Sequence, residues 1–255
     1  MFEDLFVRIP FERLLSQSDS PLPEKVNPEI YIDGDTLKKL NAARIKRVQR
    51  QLEPFSGLTL HAPFIDISPG AFDADVRRIS IVKMDKMLDL AESWSAKLVV
   101  MHFNYNPIYY RQQFARWLDQ AAVAYCQLLE PKRKPLIALE NIAEPSPEIA
   151  KQLVERVNHP RLVHCFDFGH HHVFGRVPFD QWLKRLEPRH HIHFHVHDNH
   201  GRQDDHLPPG QGSINWQRAR QAMTGPGILF SVALEVHSPQ GVATGLDFYR
   251  KNFLR

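Results

Sequence analysis

The sequence predicts an α/β protein folded as a single (β/α)8 TIM barrel. Eight short apolar or β-branched runs follow one another along the chain, and segments with helical spacing separate them. Strand–helix alternation produces right-handed βαβ units and a parallel sheet, and eight such units close a barrel. A doubly wound open sheet is the alternative, but no glycine-rich GxGxxG turn follows the first run. We therefore predict one barrel domain over residues 1–255.

Each predicted element has its own local signal. The predicted strands are Leu5–Pro10, Glu29–Asp33, Leu58–Phe64, Leu98–Phe103, Leu136–Asn141, Leu162–Phe168, His191–Asp198 and Ile228–His237. Apolar residues recur at intervals of three and four in Ser80–Trp94, which predicts a helix. Pro178 precedes a second predicted helix at Asp180–Leu186, and Asp204–Ser213 is predicted to be a long loop.

Composition limits the classes of function. The net charge of +3 is compatible with phosphorylated substrates, but without a clustered basic face it does not indicate nucleic-acid binding. Two cysteines are too few for a disulfide framework. No apolar run approaches the roughly 18 residues of a membrane span. The N-terminus lacks the pattern of a signal peptide, so we expect a cytoplasmic location.

Nine potential metal ligands lie at or just beyond the ends of successive predicted strands. They are His61, His102, Glu140, Asp167, His170, His195, Asp204, His206 and Glu235. Functional side chains gather at the C-terminal strand ends of a parallel barrel. Four carboxylates repel one another unless cations lie between them, and mixed His and carboxylate ligands suit Zn²⁺, Mn²⁺ or Fe²⁺. The sequence therefore predicts a metalloenzyme with one to three divalent metal ions per chain.

The run His191–Asp198 shows which face each residue takes, because side chains alternate along a strand. Ile192, Phe194 and Val196 suit the side that faces the helices. The interior receives His191, His193, His195 and His197. His193 lies one layer below His195, so we predict that hydrogen bonds hold it in the core. Asp198 is predicted to bind one of the imidazoles.

Four further residues are predicted to contact substrate because they lie near the same strand ends. They are His197, His237, Phe64 and Phe103. For His237 a hydrogen bond to the protein is an equally good interpretation, and for Phe103 packing of the next helix is the alternative.

The motifs in combination resemble one known superfamily. Their order is HAPF, VVMHF, ALEN, FDFGH, HVHDN, DDHLPPGQGSINW and ALEV, over roughly residues 28–238. This order resembles the xylose isomerase-like TIM-barrel superfamily, which contains sugar-phosphate isomerases and epimerases and the endonuclease IV branch (AP endonuclease family 2). The resemblance implies that the nine residues above match the three-metal ligand set of endonuclease IV. It also implies that Glu140, Asp167, His195 and Glu235 match the single-metal set of ketose epimerases.

Two departures separate the chain from the endonuclease branch. Phe-Asn-Tyr follows His102 where that branch favours Pro-Gly, and Ile-Ala-Glu-Pro follows Asn141 where it has Thr-Ala-Gly. We therefore favour a divalent-metal-dependent sugar or sugar-phosphate isomerase or epimerase, in which Glu140 and Glu235 take and return a proton.

The alternative is a multinuclear metal hydrolase of the endonuclease IV type, acting on a phosphorylated small molecule or abasic DNA. Three metals exceed what enolisation needs, which favours hydrolysis. A non-catalytic metal protein is a third and disfavoured hypothesis, since closed structural sites use four ligands for one metal. We expect a small sugar or phosphorylated substrate as partner. Nucleic acid is a disfavoured partner, and the sequence does not determine the oligomeric state.

Overall fold

Eight parallel strands close into a barrel in the computed structural model, which describes residues 5–16, 22, 26–186, 191–224 and 229–253. The strands are β1 (Leu5–Pro10), β2 (Asn27–Tyr31), β3 (Thr59–His61), β4 (Leu98–His102), β5 (Leu136–Glu140), β6 (Leu162–Asp167), β7 (His191–Val196) and β8 (Leu229–Leu234). Each strand pairs in parallel with the next, and β8 pairs with β1. The predicted fold class is therefore confirmed.

Helices connect the strands. In chain order they are α1 (Phe11–Ser16), α2 (Gly34–Lys39), α3 (Ala42–Leu52), α4 (Ala74–Ser93), α5 (Pro107–Tyr110), α6 (Phe114–Leu129), α7 (Glu148–Val157), α8 (Phe168–Phe174), α9 (Phe179–Arg185), α10 (Trp216–Met223) and α11 (Pro239–Phe253). None of these described helices has the length and apolar composition to cross a membrane. Helix α4 begins earlier than predicted because the Asp73 carboxylate caps it, accepting from the amides of Asp75 and Val76.

Most predicted strands extend one or two residues too far at their C-terminal ends, and two of them extend three residues too far. Strand β3 ends at His61 rather than Phe64, and β8 ends at Leu234 rather than His237. The chain leaves the sheet at these points to enter the loops at the mouth of the barrel. These two predicted strands are too long because apolar residues continue beyond the last residue of each strand. The predicted first residue of β8, Ile228, lies outside the described residues. No named helix or strand lies between β7 and α10, as predicted for the loop there.

The barrel separates two apolar clusters according to strand parity. Leu98, Val100, Ala138, Val163 and Cys165 form the small cluster inside the barrel. Alternate residues of the same strands pack outward against the helices in the large cluster, which includes Ile192, Phe194 and Val196. The parity predicted for β7 is therefore confirmed.

Strand register places the chemically active side chains at one level. His102 pairs with Glu140 across β4 and β5, and Asp167 pairs with His195 across β6 and β7. Both pairs lie at or near the C-terminal strand ends, the end of a parallel barrel that carries active sites. The register therefore brings residues that are far apart in sequence into one layer at the mouth.

Candidate metal centre

Glu140 is the centre of the cluster at the barrel mouth. Its carboxylate is fully buried. Oε2 lies 3.2 Å from His61 Nε2 and 3.0 Å from His102 Nε2. Oε1 lies 3.0 Å from His195 Nδ1 and 3.3 Å from His170 Nδ1. Each oxygen thus faces a different pair of imidazoles, so this carboxylate would offer a ligand atom to each of two neighbouring groups of histidines.

A second group of residues surrounds His195 Nδ1. This nitrogen lies 3.0 Å from Glu140 Oε1, 3.1 Å from Glu235 Oε2 and 3.7 Å from Asp167 Oδ2. Three carboxylates from β5, β6 and the end of β8 therefore converge on one atom. These four residues are the predicted single-metal set, and the fold brings all of them together.

A third group comes from α8 and the loop that follows β7. Asp204 Oδ2 lies 2.8 Å from His206 Nε2 and 3.3 Å from His170 Nε2. His206 has a positive φ of 50°, a conformation that costs energy in a residue other than glycine and is common at functional sites. The three groups adjoin, because His170 also contacts Glu140. All nine predicted ligands therefore lie in one continuous cluster.

Backbone carbonyls hold several of these imidazoles in place. Nδ1 of His61 lies 3.0 Å from the carbonyl oxygen of Ala62, and Nδ1 of His206 lies 3.0 Å from that of Glu235. In both residues Nε2 is the atom that faces a carboxylate of the cluster. A proton on Nδ1 can be donated to the carbonyl, which leaves the Nε2 lone pair available for a metal, as the outer partners of metal-binding histidines generally do.

Electrostatics favour the ligating charge states of Glu140 and His102, whereas the neighbouring carboxylates outweigh burial and raise the pKa of His170 well above its usual range. Burial opposes ionisation of Glu140, but the neighbouring His195 and His102 outweigh it and hold the pKa of Glu140 well below its usual range. Burial lowers the pKa of His102 to about 4, so this imidazole is neutral near pH 7. Carboxylate and neutral imidazole are the ligating forms of these side chains.

Buried carboxylate oxygens that make no hydrogen bond support the fit of a cation to this cluster. Among the described residues, Glu140 Oε2, Glu235 Oε2 and Asp204 Oδ1 are buried and make no hydrogen bond. Such atoms are rare in folded proteins because leaving a buried charged group unsatisfied is costly. Mixed nitrogen and oxygen donors within 4.8 Å of one another suit Zn²⁺, Mn²⁺ or Fe²⁺. The residues present therefore fit one or more divalent cations.

Two of the predicted substrate contacts are not accessible. Phe103 is 1% exposed and packs outward in the large core cluster, because its parity is opposite to that of His102. His197 is fully buried, and its Nε2 lies 3.0 Å from Asp167 Oδ2. Gly169 makes room for His197, since a Cβ at this glycine would overlap the imidazole ring. His197 therefore contacts the cluster through Asp167 as a buried side chain.

The other two predicted contacts lie at the mouth. Phe64 stacks on His102 with ring centroids 4.3 Å apart, and it lines a cavity of about 650 Å³ together with Tyr31. His237 is exposed and stacks on His206 at 4.2 Å. These positions leave both side chains able to meet a molecule that approaches the cluster.

Asp198 has a different role from the predicted one. Its carboxylate accepts hydrogen bonds from the amides of Gly210 and Ile214 and from Trp216 Nε1, at 2.8 to 3.2 Å. It contacts no imidazole among the hydrogen bonds and ion pairs of the described residues. Asp198 therefore fixes the loop that carries Asp204, and it acts on the third group through the backbone.

Arg8 and Asn141 are among the residues that touch the cluster but were not predicted from the sequence. Arg8 forms an ion pair with Glu235 Oε1 and lies over the ring of Tyr31 at 4.3 Å. Asn141 bonds both backbone groups of Asp167, accepting from its amide at 2.9 Å and donating to its carbonyl at 3.0 Å. A charged residue in the apolar run LFVRIP was the signal for Arg8. The amide directly after Glu140 was the signal for Asn141.

Comparisons with known proteins agree with this architecture. A family model described as a xylose isomerase-like TIM barrel matches residues 28–252. Two uncharacterised proteins of Methanocaldococcus jannaschii are 27% and 26% identical over 168 and 171 residues, which is 62% and 64% of this chain. The matched regions span only 57% and 64% of the length of those relatives.

Solved structures share the fold over nearly the whole chain. A D-tagatose 3-epimerase-like protein superposes with a TM-score of 0.81 at 20% identity, covering 98% of this chain and 97% of that one. A zinc-soaked protein of Thermus thermophilus has a TM-score of 0.74 at 24% identity, covering 97% of each chain. The IOLI protein with a zinc atom has a TM-score of 0.74 at 16% identity, covering 98% of each. The resemblance found in the motifs is thus confirmed, and the chain belongs to the xylose isomerase-like TIM barrel family.

Proposed function

We propose that this protein is a divalent-metal-dependent isomerase or epimerase of a sugar or sugar phosphate. The observation that carries the proposal is the convergence of Glu140, Asp167 and Glu235 on Nδ1 of His195. These four residues alone provide enough ligands for one catalytic cation. Two of the four are the glutamates that would move the proton. The epimerase-like neighbour at a TM-score of 0.81 supports the same class of chemistry. We place the activity in the cytoplasm.

The chemistry needs a polarised substrate and two carboxylates. A bound cation would draw electrons from adjacent carbonyl and hydroxyl oxygens and so acidify the C–H bond between them. Glu140 and Glu235 reach His195 Nδ1 from different places in the barrel, the end of β5 and the residue after β8, so a sugar bound at this group would meet both carboxylates. One removes the proton and the other returns it.

The surrounding charges keep both glutamates ionised, which is the form that a proton acceptor needs. Burial opposes ionisation of Glu235, but the guanidinium of Arg8 and the imidazole of His195 hold the pKa of this carboxyl well below its usual range. Arg8 also fixes the orientation of Oε1. Phe64 and His237 are the side chains that we propose to contact the sugar.

Isotope exchange tests this reaction without knowledge of the natural substrate. A panel of ketoses, aldoses and their phosphates is incubated with zinc- or manganese-loaded protein in D₂O, and deuterium at carbon is measured by NMR and mass spectrometry. We expect exchange with at least one member and its loss in Glu235→Gln. Asp205→Asn is the matched control, because this carboxylate bonds only Gln203 among the described contacts. Failure of the whole panel to exchange, with metal bound, would contradict the proposal.

A multinuclear hydrolase is the second candidate, and a specific observation favours it. His170, Asp204 and His206 assemble beside Glu140 although a single-metal epimerase does not need them. Clustered cations would generate hydroxide near neutral pH and neutralise a leaving phosphate oxygen. Asp204→Asn distinguishes the two candidates. It should abolish cleavage of a phosphodiester or of abasic DNA if the third group is catalytic, and it should spare deuterium exchange if one cation suffices.

A further inference from the structure

A buried carboxylate lies directly beneath the candidate metal centre, inside the barrel. Glu29 points inward from β2 and is fully buried. Its Oε2 accepts a hydrogen bond from Thr59 Oγ1 at 2.9 Å and lies 2.9 Å from His193 Nε2. The other nitrogen of His193 lies 2.7 Å from Ser231 Oγ. The structure confirms the predicted core position of His193, and these contacts fix Glu29 in one orientation.

The remaining oxygen of Glu29 faces the remaining nitrogen of His195. Glu29 Oε1 and His195 Nε2 lie 3.1 Å apart. Both atoms are buried, and neither meets hydrogen-bond geometry with any described residue, so the 3.1 Å approach between them is an ion-pair contact. Leaving buried polar atoms without a partner is costly. Cys165 also lies close to His195, but a thiol is a weak hydrogen-bonding group and does not replace the carboxylate.

We propose that Glu29 is a positioning residue that keeps the proton of His195 on Nε2, so that Nδ1 presents its lone pair to the bound cation. The inference rests on the metal site of the proposed function. In the opposite tautomer the Nε2 lone pair would face the Glu29 carboxylate, and two acceptors 3.1 Å apart repel each other. The Nδ1 proton would then point at Glu140 and Glu235, where the cation is expected. Glu29 thus selects the tautomer that ligates.

Binding measurements on a matched pair of variants test this role. Glu29→Gln keeps the shape of the side chain but loses the charge and one acceptor. Thr59→Val removes a hydrogen bond to the same carboxylate and leaves the contact with His195. We expect a 10- to 100-fold loss of zinc affinity in Glu29→Gln, the usual effect of losing an outer partner of a metal-bound imidazole. Thr59→Val should stay within about threefold of wild type, since it leaves that partner in place.

The tautomer itself is measured in the wild-type protein and needs no variant to fold. With ¹⁵N-labelled histidine and bound zinc, the spectrum of His195 should show a proton on Nε2 and metal on Nδ1. His195→Gln identifies the signal. A proton on Nδ1, or a Glu29→Gln protein that binds zinc as wild type does, would overturn the role of Glu29 while leaving the metal site intact. Wild-type protein that binds no zinc would instead refute the proposed function.

Discussion

Replacing Glu140 by glutamine is the most direct perturbation of the candidate metal centre. The amide keeps the size of the side chain but removes its charge and one of its two acceptor oxygens. The native carboxylate contacts four imidazoles at 3.0 to 3.3 Å, and it links the groups around His61 and His195. The substitution therefore weakens two adjacent cation positions at once.

The expected magnitude follows from the burial of these charges. Removing one partner from a buried ionic cluster costs about 3–5 kcal/mol, and a loss of that size in binding free energy corresponds to a zinc affinity lower by roughly 150- to 5,000-fold. Metal content should fall in parallel, and activity should be abolished under either proposed chemistry.

Chelator competition measures the affinity, and elemental analysis measures the metal content. Glu144→Gln is the matched control: Glu144 is also buried and follows the same strand, but it accepts from the Ile142 amide at 2.6 Å and contacts none of the nine candidate ligands among the described hydrogen bonds and ion pairs. A Glu140→Gln protein with zinc affinity within threefold of wild type, or with retained activity, would refute the placement of the site.

Three other outcomes are expected. Burial raises the pKa of Glu144 from 4.5 to about 7, so between these pH values the unfolded chain releases a proton that the native chain keeps. Its contribution to the free energy of unfolding therefore falls by about 3 kcal/mol as pH rises from 4.5 to 7. Urea unfolding at pH 5 and pH 8 should show a smaller fall for Glu144→Gln than for wild type, and equal falls would exclude this carboxyl as a cause. Asp198→Asn should loosen the loop that carries Asp204 and reduce zinc at the third group about tenfold; titration with zinc that shows unchanged stoichiometry and affinity would speak against it. When free zinc is present at a hundred times its Kd, removing it should lower the free energy of unfolding by about 2.7 kcal/mol and lower Tm by roughly 5–10 °C. A Tm that does not change on addition of chelator would argue that no zinc binds.

Strand parity explains why the barrel and most of the cluster could be predicted. Alternation along a strand is a local property, so His195 and Glu140 could be assigned to the interior from neighbouring residues alone. The ends of strands in a parallel barrel all open on one face. Local patterns therefore predicted that the nine candidate ligands share a mouth.

The predicted contacts were wrong where the strand pattern ends, or where a residue distant in sequence determines what a side chain contacts. Phe103 directly follows the candidate ligand His102. Adjacent residues of a strand point to opposite faces, so Phe103 packs in the core between the strands and the helices. Asp198 lies among histidines in sequence, but its carboxylate accepts hydrogen bonds from the Gly210 amide and the Trp216 indole, because the loop after β7 folds back over it. Neither partner could be identified from spacing.

The sequence by itself determined the fold class, the interior face of each strand and the residue types available for metal binding, because these depend on short-range periodicity. Only the tertiary structure decided which of them touch. Glu29 and His195 are brought to 3.1 Å, and Arg8 meets Glu235, through the closure of a barrel whose first and last strands are neighbours. The physical reason is that the register between distant strands sets the distances between their side chains, whereas the sequence of one strand determines only the face to which each side chain points.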